Sequence, residues 1–456
     1  MQDMDELGEH VRCIAGQFDL LALHATNPKR YPALLESVTR GGTARYSILF
    51  AFPQASLCLS ASGQLSYAGQ SLKGGRFFPA LDALWKEQSS VESGPKSLPF
   101  RGGWLFYLGY EVASEIEPKL MVDFPPVFEL PHAVATRIPA AVIVDHQQDC
   151  TTVFTEPGYS AYFAELMADI DALPVVEASP FSASDVASPE QDDPETYLSG
   201  VRRVKRYICD GDVFQVNLSR GWQDHTKKSA VQLYRDLKSA NPAPFAALFN
   251  WAGKAIISSS PERLVKVTGG VAETRPIAGT RPRAIHADDD SGLLDELLAH
   301  PKERAEHIML VDLERNDLGR VCEFGSIEVN EMMVVESYAH VHHIVSNIRG
   351  TLRADVTPGE VLQAVFPGGT ITGCPKVRCM EIIAELEQTA RGPYTGSIGY
   401  LNHNGDMDSN ILIRTIVYRD GELSFRAGAG IVSDSEPEKE LAETRSKAKG
   451  LCRALV

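Results

Sequence analysis

Short apolar runs broken by Gly and Pro dominate the chain up to about Leu173: Tyr46 to Ala51, Leu57 to Leu59, Trp104 to Gly109 and Ala140 to Val144. Runs of that length between turn residues predict strands of a sheet. Over residues 177–195 Ser, Ala, Pro and Asp replace the apolar period, which predicts a linker between an N-terminal region, 1–176, and a second region, 196–456. Beyond it Tyr197, Leu198, Val201, Val204 and Ile208 recur at helical spacing, with Gly211 placed to end the helix. Strands are then predicted at Val213 to Leu218, Ala255 to Ser259, Ser397 to Tyr400 and Ile411 to Val417. Helices are predicted around Leu293 to Leu313, from near Pro375 and from about Pro437. The mixture predicts an α+β fold with large sheets backed by helices.

Composition narrows the function. With 456 residues, 44% of them hydrophobic and 8% aromatic, the chain can build one large two-layer domain or two lobes around an enclosed site. A formal charge of -16 without a basic run argues against nucleic acid or an anionic membrane surface as partner. No apolar stretch approaches the roughly 20 residues of a spanning helix. The segment Met1 to His10 is acidic and polar rather than signal-like, so a cytoplasmic protein is expected. The eight cysteines form no CxxC pair, which fits reduced thiols better than disulfides or zinc.

Carboxylate spacing brings in chemistry. Glu303 and Glu306 stand three apart on one predicted helix, and Glu440 and Glu443 repeat that spacing on the closing helix; such pairs share a helical face. Four converging carboxylates would suit magnesium, whereas separate pairs would be solvated acidic faces. Ser435 and Glu438 read as a capping box for the closing helix. Lys447, four residues after Glu443, either neutralises it or holds a substrate carboxylate. Arg414 interrupts an apolar run and needs an anion, either a structural carboxylate or a bound acid. Ala427-Gly428-Ala429-Gly430 marks a bulge or a close approach of backbone to ligand. The stretch Pro367 to Lys376 departs from phosphate-loop spacing, although a helix starting near Pro375 could bind a carboxylate. Asp288, Asp289 and Asp290 lack calcium-loop spacing. Among His340, His342 and His343, alternation places the first two on one face and His343 on the other. Zinc is unsupported there; a single inward His as a hydrogen-bonding or acid/base group fits better.

Together several motifs resemble the chorismate-utilising enzymes, which include anthranilate synthase component I, aminodeoxychorismate synthase component I and the isochorismate and salicylate synthases. They are Ser260-Pro261-Glu262-Arg263, Thr274 to Thr280, Arg304-Ala305-Glu306-His307, Asp312 to Leu318, Gly368 to Met380 and Glu443 to Lys447. The resemblance covers nearly the whole chain and implies a large two-lobed sandwich of mainly antiparallel sheets with helices outside. It also implies that Glu303, Glu306, Glu440 and Glu443 surround Mg2+, and that Arg414, Lys447 and the Gly428, Ala429, Gly430 backbone receive substrate carboxylates. By the same resemblance Glu262 is the general acid that protonates a departing hydroxyl, and His343, Thr280 and Tyr400 line the pocket. Leu34-Leu35-Glu36-Ser37 resembles the family's tryptophan-binding element; otherwise it is a plain helix end.

Gln215 stands where the water-using relatives carry a lysine base, which implies ammonia as nucleophile. Asn217, Thr372 to Lys376, Gly396 to Tyr400 and Asp406-Met407-Asp408 resemble the aminodeoxychorismate branch. Ala278 resembles the anthranilate branch instead, because well-studied aminodeoxychorismate synthases have a lysine there that adds to the ring. No Gly-x-Cys-x-Gly glutaminase elbow is present, so the resemblance implies a separate glutamine amidotransferase subunit.

Overall fold

The computed structural model describes residues 10–39, 45–89, 94–120, 124–173, 185–282, 301–337 and 341–456. Among them two twelve-stranded sheets form the frame. The first carries Tyr46–Ala51 and Ala33–Glu36, then Phe245–Trp251, Lys254–Ser260, Thr415–Arg419, Glu422–Ile431 and Gln215–His225 in that spatial order. The second runs from Ile277–Pro282 and Val341–Thr351 through Met407–Asn410 and Ser397–Asn402 to Gly103–Leu108 and Ala133–Ile138. Both are built of antiparallel neighbours.

The sheets face each other across one apolar layer, where Ile48, Phe50, Ile143, Phe249 and Ile256 of the first meet Leu105, Tyr107, Val134 and Ile398 of the second. The opposite face of the first sheet packs on Leu20–Thr26, Ser160–Asp171, Ala230–Ala240 and Pro437–Ala454. That of the second is covered by helices including Phe77–Gln88, Pro358–Val365 and Lys376–Glu387. Strands so placed are buried on both sides, and for that reason Tyr46–Ala51 and Gly103–Leu108 read as unbroken apolar runs. The α+β sandwich of antiparallel sheets with outer helices is therefore the observed fold.

The sequence regions before and after residues 177–195 do not own separate sheets. Ala33–Glu36 pairs with Phe245–Trp251 in one sheet, and Gly103–Leu108 pairs with Ser397–Asn402 in the other. Part of the predicted linker is ordered by pairing, since Glu190–Gln191 adds a short strand beside Trp222 and Gln223. The helix Pro194–Cys209 begins inside it, with the Asp193 carboxylate accepting the N–H groups of Glu195 and Thr196.

Three local expectations change. Leu34 to Glu36 is strand, not a helix end. Arg414 is not in a strand: the pairing starts at Thr415, and Arg414 sits at a bend with φ of 52°. Ser435 does not cap the closing helix; Glu436 holds that position, while the Ser435 hydroxyl accepts the Val432 N–H at 3.1 Å. The predicted helix at Leu293 to Leu313 is described from Pro301 and runs to Gly319, and Asp288 to Asp290 and His340 lie outside the described residues.

Candidate active site

The strand Gln215–His225, near one end of its sheet, lies against Glu422–Ile431 with Asn217 opposite Gly430 and Ser219 opposite Gly428. The register runs without a shift, so the glycines mark no bulge. A Cβ on Gly430 would overlap the Gln215 amide, and one on Gly428 would stand 2.8 Å from both Asn217 Oδ1 and the Tyr394 hydroxyl. The missing side chains make room for those groups.

Glu262 follows the strand Lys254–Ser260 and is 5% exposed. Burial raises its carboxyl to about 7, against opposing pulls from the Thr370 hydroxyl, the Ile277 N–H, Lys447 and Arg414. A carboxyl near 7 keeps its proton at neutral pH and can give it up, as a general acid must. Its Oε1 is buried and has no hydrogen-bond partner among the described residues; the same holds for Gln215 Oε1 and Asn217 Oδ1. Native proteins rarely leave such atoms unmet unless a ligand or water meets them.

Two cations, Lys447 and Arg414, act on Glu262 through their charge. Lys447 Nζ lies 2.7 Å from Glu443 Oε1 and donates to the Gly428 carbonyl at 2.9 Å, so it neutralises Glu443. Burial holds the Arg414 guanidinium below its ordinary range, opposed by Tyr394, Glu443 and Glu262. His343, 7% exposed, pairs across the strands with Thr280. Burial and the nearby Arg414 push it down to about 4, so it is a neutral imidazole at pH 7. His342 is buried on the other face, opposite Arg281. The backbone of Ala278 and Thr280 lies in Ile277–Pro282, but their side chains are outside the described residues.

Of the four paired glutamates, Glu440 is buried, Glu306 half-buried and Glu443 exposed, while the Glu303 side chain is outside the described residues. Burial raises the Tyr197 hydroxyl, and Glu440 and then Glu443 raise it further, which places both carboxylates near that ring. Among the described residues no three acidic, His or Cys groups form a closed metal cage. The donor chemistry fits magnesium nonetheless, because all the oxygens are hard carboxylates and this ion keeps waters and accepts a substrate's oxygens.

Tyr400 belongs elsewhere. It lines a separate cavity of about 90 Å³ with Leu35, Glu36, Ser37, Tyr46 and Phe245. There the Tyr234 hydroxyl donates to Glu36 at 2.8 Å, and Lys238 sits 3.1 Å from the same carboxylate. Tyr394, which sequence reasoning passed over, takes the place near Arg414. It is 6% exposed, with the Arg391 guanidinium 5.5 Å from its ring. Its signal was available in Arg391-Gly392-Pro393-Tyr394, a turn that delivers a cation and a phenol just ahead of the glycine motif. Arg391 and Arg426 clamp Glu387 at 2.6 and 3.0 Å, fixing the floor beneath. On the opposite side Gly373 packs where a Cβ would overlap the Gln215 carbonyl, and Lys376, next to the start of helix Lys376–Glu387, is bonded to Asp317 at 2.5 Å. That lysine is therefore committed to a protein carboxylate.

Residues 25–453 match the model of a family described as chorismate binding enzyme. The chain is 43% identical to an anthranilate synthase component I-like protein of Synechocystis, over 85% of this chain and 82% of that one. It is 40% identical to aminodeoxychorismate synthase component 1 of Bacillus subtilis, over 96% and 94%. Among solved structures, anthranilate synthase component I from Streptococcus pneumoniae superposes with a TM-score of 0.77 at 32% identity, covering 91% of this chain and 93% of that one.

Proposed function

The chain belongs to the chorismate-binding enzyme family, and from that premise we propose that it is the chorismate-using subunit of an aminodeoxychorismate synthase. It replaces the C4 hydroxyl of chorismate with ammonia to give 4-amino-4-deoxychorismate, a precursor of para-aminobenzoate and folate. The choice of C4 rests on Asn217, Thr372 to Lys376, Gly396 to Tyr400 and Asp406 to Asp408, which resemble that branch; the observation that supports ammonia as the nucleophile is an acid without a base. Glu262 is poised to protonate a leaving hydroxyl, while Gln215 and Asn217 are neutral carboxamides with vacant oxygens. A carboxamide cannot take a proton from water, whereas ammonia needs no base to attack.

Arg414, Lys447 and the Gly428 to Gly430 backbone would bind the substrate's carboxylates, the guanidinium with a fork and the ammonium as a point charge. Neutral His343 would hydrogen-bond the substrate without adding charge. Glu303, Glu306, Glu440 and Glu443 would hold Mg2+, which supplies a positive anchor for a substrate carboxylate. Ammonia would come from a glutamine amidotransferase partner, so glutamine should support turnover only when that subunit is added. The second cavity, with aromatic walls and the Glu36 carboxylate, would take tryptophan through its indole and ammonium. Calorimetry that finds no tryptophan binding to the wild type would remove that assignment.

Ala278 favours a second reading, anthranilate synthase component I, because no lysine is present to add to the ring. Mass spectrometry of the product with chorismate, magnesium and ammonium decides between them. 4-Amino-4-deoxychorismate without pyruvate supports the C4 reading; anthranilate with pyruvate replaces it by the other.

A further inference from the structure

Asn217 stands two residues from Gln215 on one strand, so both side chains project from the same face. Both lean over the glycines of the neighbouring strand, in space that any Cβ there would occupy. The other polar atoms of Asn217 are engaged. Its N–H donates to the Thr372 carbonyl at 2.8 Å, its carbonyl accepts from Arg391 Nη2 at 2.8 Å, and Nδ2 reaches the Thr370 carbonyl at 3.5 Å. The last contact orients the amide, since a carbonyl there requires the NH₂ end. That leaves Oδ1 over, and it and Gln215 Oε1 are both buried with no partner among the described residues. Two buried acceptors with no donor of their own mark a place that a donor fills.

We propose that Gln215 Oε1 and Asn217 Oδ1 together form the cradle that receives ammonia, with Asn217 a residue that determines which nucleophile is used. This rests on the amination reading above. Ammonia donates two N–H groups to the pair and turns its lone pair toward the ring carbon. As the C–N bond forms, the C–O bond to the hydroxyl breaks, and the hydroxyl takes the Glu262 proton and leaves as water. The nitrogen becomes an ammonium, whose bonds to the two oxygens are then charge-assisted and stronger than before. It afterwards returns one proton to solvent, from which Glu262 is reprotonated. Water attacking in the same way would become an oxonium that neither amide can deprotonate, so the cradle selects the amine.

Asn217→Leu removes the acceptor at similar volume. It is assayed as the full chain with chorismate, magnesium and ammonium chloride. For Asn217→Leu, kcat/KM for ammonia should fall about 10–100-fold, the effect of losing one hydrogen bond to a charged group. KM for chorismate should stay within about 2-fold. Unchanged ammonia kcat/KM in Asn217→Leu, or a KM for chorismate that rises as far as the ammonia kcat/KM falls, would overturn the cradle while a wild type that aminates chorismate leaves the amination reading standing. A wild type that releases no aminated product would overturn both. Should Asn217→Leu misfold, Asn217→Ala removes the same acceptor and is judged by the same outcomes.

Discussion

Replacing Glu262 by Gln should damage activity and improve stability at once. The buried carboxyl ionises at about 7 rather than the ordinary 4.5, which corresponds to about 3 kcal/mol at about 1.4 kcal/mol per tenfold change in acidity. Below pH 4.5 it is protonated in the folded and unfolded chain alike, and the variant gains nothing. Between 4.5 and 7 the unfolded chain releases its proton while the folded chain retains it, so wild-type stability declines as pH rises. The loss is complete above about 7. Gln cannot ionise and escapes it. For 456 residues the unfolding entropy is on the order of 1 kcal/mol/K, so the variant's thermal midpoint should rise by about 3 °C at pH 8 and hardly move at pH 4. Loss of the proton donor should meanwhile lower kcat about 10²–10⁴-fold. Wild-type kcat should fall as pH rises through about 7; the variant's residual rate should lack that limb. Thermal unfolding at the two pH values and steady-state amination provide the assay. Activity above about a tenth of wild type, or a midpoint at pH 8 that is unchanged or lower, would refute the reasoning.

Gly430→Ala would drive a Cβ into the Gln215 amide, so ammonia-dependent kcat should drop at least about 10-fold; wild-type rates would show that the amide has room to move. Glu387→Gln leaves the buried Arg391 and the half-buried Arg426 without their shared anion and should cost about 3–5 kcal/mol, measured by urea unfolding and contradicted by an unchanged midpoint. Chelation should abolish turnover, and added magnesium should restore it. Glu440→Gln should raise the magnesium concentration needed for half-maximal rate by about 10-fold or more, an expectation that an unchanged magnesium titration would remove.

How far the sequence could be read differed from one feature to the next. Local signals sufficed for the body of Pro194–Cys209, where Tyr197 to Ile208 keep a clear apolar period that Gly211 ends, although its Asp193-capped start falls inside the expected linker. They sufficed too for strands such as Tyr46–Ala51, whose apolar runs reflect burial on both faces. They could not reveal that Ala33–Glu36 joins Phe245–Trp251, because pairing over that separation is decided by tertiary packing. Arg414 looked like a strand residue because its neighbours are apolar; its positive φ follows from the turn into Thr415–Arg419, which composition does not encode. Tyr400 was expected beside the substrate, yet it faces the cavity of Leu35 and Glu36, and the shift of a few residues to Tyr394 depends on the loop geometry before Ser397–Asn402. Glu262 carried no local signature, since its altered acidity comes from burial; only the resemblance of whole motifs pointed to it. Gln215 and Asn217 showed their alternation in the sequence, but the vacancy of their oxygens required the neighbouring strand.

The claim that ammonia rather than water displaces the hydroxyl is tested most directly by isotopes. Purified chain, chorismate and magnesium are incubated with ¹⁵N-ammonium in ¹⁸O-water, and the products are weighed by mass spectrometry. The expected product carries one ¹⁵N and no ¹⁸O. A hydroxylated product carrying ¹⁸O, formed equally well without ammonium, would contradict the assignment of Gln215 and Asn217 as acceptors for an amine.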